Sequence, residues 1–223
     1  MKNINAVIFD MDGTTLDTLI DLSDAVNYVL EKYQMPTHKI NEYRQYFGNG
    51  IKYAFNCAVT RETKEETVDE MVKVFKSYYD IHCLDNTRPY DGILELMKEL
   101  KEHNYKIAIV SNKIDSAVQE LHQRFFKDYV DIAIGEKPGI KRKPAPDMVI
   151  EALDKLGINK KEAIYVGDSE VDYQTAVNSE LPCILVLWGF RDIEQLKDFK
   201  AEFAKKPHDI FDILEKNKSL TDW

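Results

Sequence analysis

The chain has 223 residues, 44% hydrophobic and 31% charged, a size and balance that suit one large soluble domain or a core with a smaller insertion. Its net charge of −9, from 39 acidic and 30 basic side chains, argues against nucleic-acid binding through the general field of the molecule. Cys57, Cys83 and Cys183 are odd in number and contain no CxxC pair, which excludes a disulfide framework or a structural zinc site as the organising device.

In chain order, Ala6-Val7-Ile8-Phe9 is the first apolar run of strand length. It follows the N-terminal segment directly, and with no apolar leader or run of membrane-spanning length the sequence is expected to be cytoplasmic, with no membrane partner. From about Asp17 to Asp85 no strand is expected. Leu19, Leu22, Val26, Val29 and Leu30 mark one helical face, and Val68, Met71, Val72, Phe75 and Tyr79 mark another. The break Phe47-Gly48-Asn49-Gly50 lies between them, and Tyr43, Tyr46 and Phe47 read as packing aromatics. Thr87 to Gly92 has the turn chemistry of a return to the first unit.

Beyond the return, a helix is expected from Ile93, Leu94, Leu96, Met97 and Leu100, then a strand over Lys106–Val110 and another over Val130–Ile134. Met148, Val149, Ala152, Leu153 and Leu156 mark the next helix, with Gly157 as its C-terminal cap. Strands over Ala163–Val166 and Cys183–Leu187 follow, with Cys183 read as a buried small hydrophobe. A last helix surrounds Ile210, Ile213 and Leu214, and Trp188 and Trp223 are expected to pack. The alternation predicts an α/β fold: a Rossmann-like parallel sheet core over residues 1–16 and 86–223, with an α-helical cap domain inserted over residues 17–85.

Ligands of open parallel sheets bind beyond the carboxyl ends of the strands. Asp10-Met11-Asp12-Gly13-Thr14 follows the first strand, Ser111-Asn112-Lys113 the second, and Gly167-Asp168-Ser169-Glu170-Val171-Asp172 the fourth; Lys143-Pro144-Ala145-Pro146 precedes that fourth strand. Carboxylates from separate strand ends can share a hard cation such as Mg²⁺. Asp10 and Asp168 are the expected direct ligands, and Asp12 and Asp172 are the further metal candidates. Asp172 could hold a metal-bound water, orient the lysine, or merely sit as an acid in a first helical turn. Asp10 can act as a covalent nucleophile, and Asp12 as the acid that protonates a leaving alkoxide and later deprotonates water. Ser111 and Lys143 would hold phosphoryl oxygens, with Thr14 and Asn112 as further substrate contacts. Arg44, Lys52 and Lys113 read singly as surface charges; as a group, one of them is expected to meet the far end of a substrate, with Arg44 preferred. The five histidines have no metal-ligand spacing and receive no role.

These residues resemble the four motifs of the haloacid dehalogenase superfamily of phosphatases: Asp10-Met11-Asp12-Gly13-Thr14, Val110-Ser111-Asn112, Lys143 with Pro144 and Pro146, and Gly167-Asp168 followed by Asp172. Their order, and the helical stretch between the first two, resemble the subgroup with phosphoglycolate phosphatases, pyrophosphatases and β-phosphoglucomutases. The resemblance implies a Mg²⁺-dependent phosphatase that forms an aspartyl-phosphate on a small phosphorylated metabolite, 2-phosphoglycolate-like, working as a monomer or homodimer. The acid at Asp12 favours phosphoryl transfer over dehalogenation, and Thr14 with Ser111-Asn112-Lys113 resembles the phosphoglycolate phosphatases more than the mutases. A pyrophosphatase, a mutase or a non-catalytic phosphate-binding regulator remain as alternatives. No GxGxxG follows the first strand, so a nucleotide-binding dehydrogenase is not expected.

Overall fold

The computed structural model describes residues 4–219. The expected packing of Trp223 lies outside the described residues. Six strands form one parallel sheet in the order β5-β4-β1-β6-β7-β8. They are β1 (Ala6–Phe9), β4 (Lys106–Ile114), β5 (Ile132–Glu136), β6 (Ala163–Gly167), β7 (Cys183–Val186) and β8 (Glu202–Ala204). β1 lies between β4 and β6, with Phe9 level with Ile109 and Val166. That register brings the residues after all three strands to one edge.

Continuous apolar strands serve two cores, because alternate side chains face opposite ways. Val7, Phe9, Ile107, Ile109 and Val166 face α5 (Ile93–Glu102), α6 (Asp115–Leu121) and α10 (His208–Ser219). Ile8, Ala108, Val110, Tyr165 and Leu185 face α7 (Asp147–Leu156), α8 (Glu170–Asn178) and α9 (Ile193–Leu196). Gly157 ends α7 at φ +67, the left-handed cap its position predicts. Trp188 packs against the first of these cores and donates its indole N–H to the Thr14 carbonyl.

The segment between β1 and β4 is helical: α1 (Leu19–Lys32), α2 (Ile40–Tyr43), α3 (Ile51–Ala58) and α4 (Glu65–His82). Their apolar faces meet in a third core that contains Leu22, Val26, Tyr43, Phe47, Phe55, Met71, Phe75 and Tyr79. The expected aromatic packing is present here, with Tyr43 stacked on Phe47. At the base of this helical unit the chain leaves and returns through a two-stranded antiparallel ribbon, β2 (Leu16–Asp17) against β3 (Arg88–Pro89). The buried Asp21 carboxylate of α1 accepts N–H bonds from Asn86 and Thr87, at 2.8–3.0 Å, just before β3.

Several boundaries differ from the sequence reading. β4 continues past Val110 to Ile114 with an irregular register against β5. β5 begins at Ile132 rather than Val130, because the Asp131 carboxylate takes the Ile107 N–H and closes the turn there. β7 ends at Val186, and β8 is an edge strand of three residues that apolar periodicity does not reveal. Among the described residues no helix is long and apolar enough to cross a membrane.

Candidate active site

Asp10 follows β1 directly, and its N–H donates to the Val166 carbonyl at 2.8 Å, so the end of β1 is tied to the end of β6. The chain then reverses. The N–H groups of Thr14, Thr15 and Leu16 converge on the Met11 carbonyl, and Gly13 sits at φ +83. Only glycine fits there: a Cβ on Gly13 would fall 2.4 Å from Asp168 Oδ2, on a backbone already in the left-handed region. The turn therefore places the first acidic motif against the acidic residue after β6.

Lys143 is the hub of the site. Its Nζ donates to Asp10 Oδ1 at 2.5 Å, Asp172 Oδ1 at 2.8 Å and the Tyr165 hydroxyl at 3.1 Å, which uses all three ammonium protons. Asn112 positions Lys143. Its Oδ1 accepts the Lys143 N–H at 2.7 Å, and its Nδ2 donates to the carbonyls of Lys143 and Gly48. One side chain near the end of β4 thus clamps the Lys143 loop and the turn of the helical unit together.

Asp172 is enclosed by donors. Oδ1 accepts from Lys143 and Tyr165; Oδ2 accepts from Ser169 Oγ and from the N–H groups of Asp168 and Ser169. Ser169 caps α8 in return, a reciprocal capping box. Asp168 Oδ2 accepts the Phe190 N–H at 2.6 Å. Asp10, Asp168 and Asp172 each offer an oxygen within 4.8 Å of the others. All three are buried, and hard oxygen donors at this spacing fit a divalent cation.

The electrostatics point the same way. Burial holds Asp10 well above the usual carboxylate range; Lys143 pulls it down, while Asp172, Asp168 and Asp12 push it up. Burial, with Asp172 beside it, raises Asp168 to about 7. Asp172 would also rise on burial, but Lys143 and the bonds from Lys143, Ser169 and Tyr165 take it below its ordinary value. Lys143 would fall on burial, and Asp10 and Asp172 hold it well above the usual range instead. Lys143 and the more distant Arg191 face three carboxylates, and a further cation would favour the ionised form of Asp10 and Asp168.

Asp12 follows Asp10 by two residues but faces another way. Its carboxylate lies outside the group formed by Asp10, Asp168 and Asp172. Oδ1 instead lies 2.9 Å from Lys113 Nζ. Lys113 corrects the reading of a surface charge: it is 8% exposed, and its Nζ also donates to the Tyr79 hydroxyl of α4 at 2.8 Å. Arg44 is placed away from the cavity. Its guanidinium donates to the carbonyls of Gly189 and Phe190, joining the helical unit to the loop after β7. Lys52 pairs with Glu65 and Asp69 at the surface. Thr14 is fully buried, with no hydrogen-bond partner for its hydroxyl, behind the Asp12 turn.

A cavity of about 60 Å³ lies between the sheet edge and the helical unit. Asp10, Asp12, Ser111, Asn112, Lys113 and Lys143 line it from the sheet side. Leu22, Phe47, Ile51, Phe75 and Tyr79 line it from the helical side. Sequence reasoning thus missed Tyr165, Ser169 and Arg191 around the site, and named Lys113 only as one of three candidate cations. The Ser169-x-x-Asp172 spacing of a capping box was the one readable signal among them. Arg191 is 3% exposed and donates to Glu170 and to the carbonyls of Arg44 and Phe47.

Comparison with known proteins agrees with this geometry. Residues 7–186 match the family described as haloacid dehalogenase-like hydrolase. A phosphoglycolate phosphatase of Aquifex aeolicus is 25% identical over 95% of this chain and 97% of its own length. Pyrophosphatase PpaX of Halalkalibacterium halodurans is 26% identical over the same shares, 95% and 97%. A crystal structure from Lactobacillus delbrueckii subsp. bulgaricus, described as a candidate phosphoglycolate phosphatase, superposes with a TM-score of 0.88 at 38% identity, covering 95% of this chain and 98% of that one. With its carboxylate pair after β1, its lysine hub and its buried acidic group after β6, the chain belongs to the haloacid dehalogenase-like hydrolase family.

Proposed function

We propose that the chain is a Mg²⁺-dependent phosphatase that hydrolyses a small phosphate monoester, 2-phosphoglycolate or a close relative, through an aspartyl-phosphate on Asp10. The observation that carries this reading is the division of labour between the two acids after β1. Asp10 lies among Lys143, Asp168 and Asp172, whereas Asp12 is turned out of that group toward the cavity.

Asp10 attacks phosphorus in line with the ester oxygen, which leaves with a proton from Asp12. Asp12 then takes a proton from water, which attacks the acyl phosphate and frees Asp10 as phosphate departs. Lys143 holds the attacking carboxylate and offsets its charge, and Asp172 holds Lys143. Ser111 lines the cavity beside Asp10, where a phosphoryl oxygen would meet its hydroxyl. Asp10 and Asp168, with Asp172 behind them, would hold Mg²⁺, which when bound neutralises the phosphoryl charge and orients the group for attack. Residues 17–85 would act as the cap that closes over the metabolite and excludes water. The reading gives a cytoplasmic monomer or homodimer, and the net charge of −9 supports the absence of a nucleic-acid partner.

Relatives named as phosphoglycolate phosphatases and as pyrophosphatases match similar lengths of the chain, so the leaving group must be decided by assay. Phosphate release from 2-phosphoglycolate, pyrophosphate, a hexose 1-phosphate and simple alkyl phosphates, with and without Mg²⁺, is the deciding measurement. Turnover is expected only with the metal, and Asp10→Asn should lower it by at least about 10³-fold. Full activity in Asp10→Asn would sink the reading.

A further inference from the structure

Lys113 has no part in the chemistry above, yet it is a buried cation in the wall of the cavity. The other lysine of that wall, Lys143, has committed its three protons to Asp10, Asp172 and Tyr165. Lys113 has committed fewer. Its Nζ donates to the Tyr79 hydroxyl, sits 4.4 Å from the centre of that ring, and approaches Asp12 Oδ1 at 2.9 Å. The Asp12 contact is an ion pair that takes at most one further proton. At least one ammonium proton of Lys113 therefore remains for a ligand.

Position gives that proton a use. On the reading above Asp12 is the acid on the leaving-group side, and Lys113 Nζ lies 2.9 Å from its carboxylate in the same cavity wall, so a group carried by the leaving oxygen comes within reach of Lys113. The side chains that face it, Leu22, Phe47, Ile51 and Phe75, are apolar and offer an anion no charge. Burial would lower the Lys113 ammonium, and Asp12 and Tyr79 instead hold it above the usual lysine value, so it is a fixed positive charge.

We propose that Lys113, steered by Tyr79, is the specificity-determining residue that receives a second anionic group, a carboxylate or a second phosphoryl, on the leaving-group side of the substrate. The proposal rests on the phosphatase reading and names the substrate class: phosphate compounds with an anionic tail, in preference to neutral alkyl phosphates of equal size.

The test is binding of two phosphonates, which need no turnover, to the Mg²⁺-loaded protein by calorimetry. Phosphonoacetate carries the anionic tail and propylphosphonate does not. Wild type should bind phosphonoacetate about tenfold more tightly or better, as a hydrogen bond to a charged group implies. In Lys113→Met that ratio should collapse toward one, and in Lys113→Arg much of it should remain. A purely structural lysine would weaken both ligands alike and leave the ratio intact. Equal binding by wild type overturns the proposal without any variant, so a Lys113→Met protein that failed to fold would not protect it. Binding of neither phosphonate would overturn the phosphatase reading as well. In parallel, kcat/KM for 2-phosphoglycolate and for pyrophosphate, each divided by that for propyl phosphate, distinguishes a carboxylate tail from a phosphoryl one; the ratio should fall in Lys113→Met through KM. An unchanged ratio for both tails in a folded Lys113→Met refutes the assignment.

Discussion

Lys143 and Asp172 show how much one buried pair decides. The ammonium is 4% exposed and its partners Asp10 and Asp172 are 6% and 1% exposed, so none of the three can recover water if a partner is lost. Breaking a buried pair by removing one member costs about 3–5 kcal/mol, because the charge left behind stays buried. Lys143→Met is therefore expected to destabilise the metal-free protein by that amount in urea unfolding, and to cut kcat by about 10²–10³-fold, the usual cost of one lost charge-stabilising donor. Asp172→Asn separates positioning from catalysis: it leaves Asp10 and Lys143 in place but frees the ammonium from Oδ1, and kcat should fall while KM changes little. The convergence of Asp10, Asp168 and Lys143 on one sheet edge was legible because strand ends and the loop between them are counted off directly from apolar runs. The partners of Asp12 and Lys113 were not. Lys113 is buried by Tyr79, 34 residues earlier on a helix whose placement no local pattern fixes.

Arg191 does for the elements what Lys143 does for the residues. Its guanidinium meets both Glu170 oxygens, at 2.8 and 2.9 Å, at the start of α8, and reaches the carbonyls of Arg44 and Phe47 in the helical unit. Arg44 returns the connection to Gly189 and Phe190. Arg191→Ala removes the charged bonds across this contact, each worth about 1.5–3 kcal/mol. The expected result is a lower melting temperature and faster limited proteolysis within residues 44–50, while α7 stays protected. Arg191→Lys should not restore it, because a point ammonium cannot make the two-pronged contact to Glu170. Close approach constrains the sheet edge in the same way: a Cβ on Gly167 would fall 2.2 Å from Asp172 Cβ, so Gly167→Ala should displace Asp172 and mimic its loss in both stability and kcat. The long helices and central strands were readable from periodicity, which needs several turns or alternations to register. β2, β3 and β8 have two or three residues each, and only their partners make them strands.

For the whole molecule, the charge of the site couples stability to pH and to metal. Asp10 and Asp168 bind protons more tightly in the fold than an exposed carboxylate does, Asp168 up to about 7. Between about pH 4, the ordinary carboxylate value, and pH 7, these two groups therefore hold more protons in the folded than in the unfolded chain, and their contribution to the stability of metal-free protein falls as pH rises through that window. Asp172 runs the other way: its stabilising contribution is present above the ordinary value and is lost as pH falls below it. A divalent cation binds the ionised carboxylates, so it stabilises most where ionisation costs the free protein most. The rise in melting temperature on adding Mg²⁺ should accordingly be larger at about pH 8 than at about pH 5.5, and Asp168→Asn should reduce the rise at the higher pH. Equal rises at the two pH values would mean that the cation is held by groups other than these three carboxylates, and the chain's net charge of −9 would then act only as a diffuse attraction, which 0.5 M salt would erase.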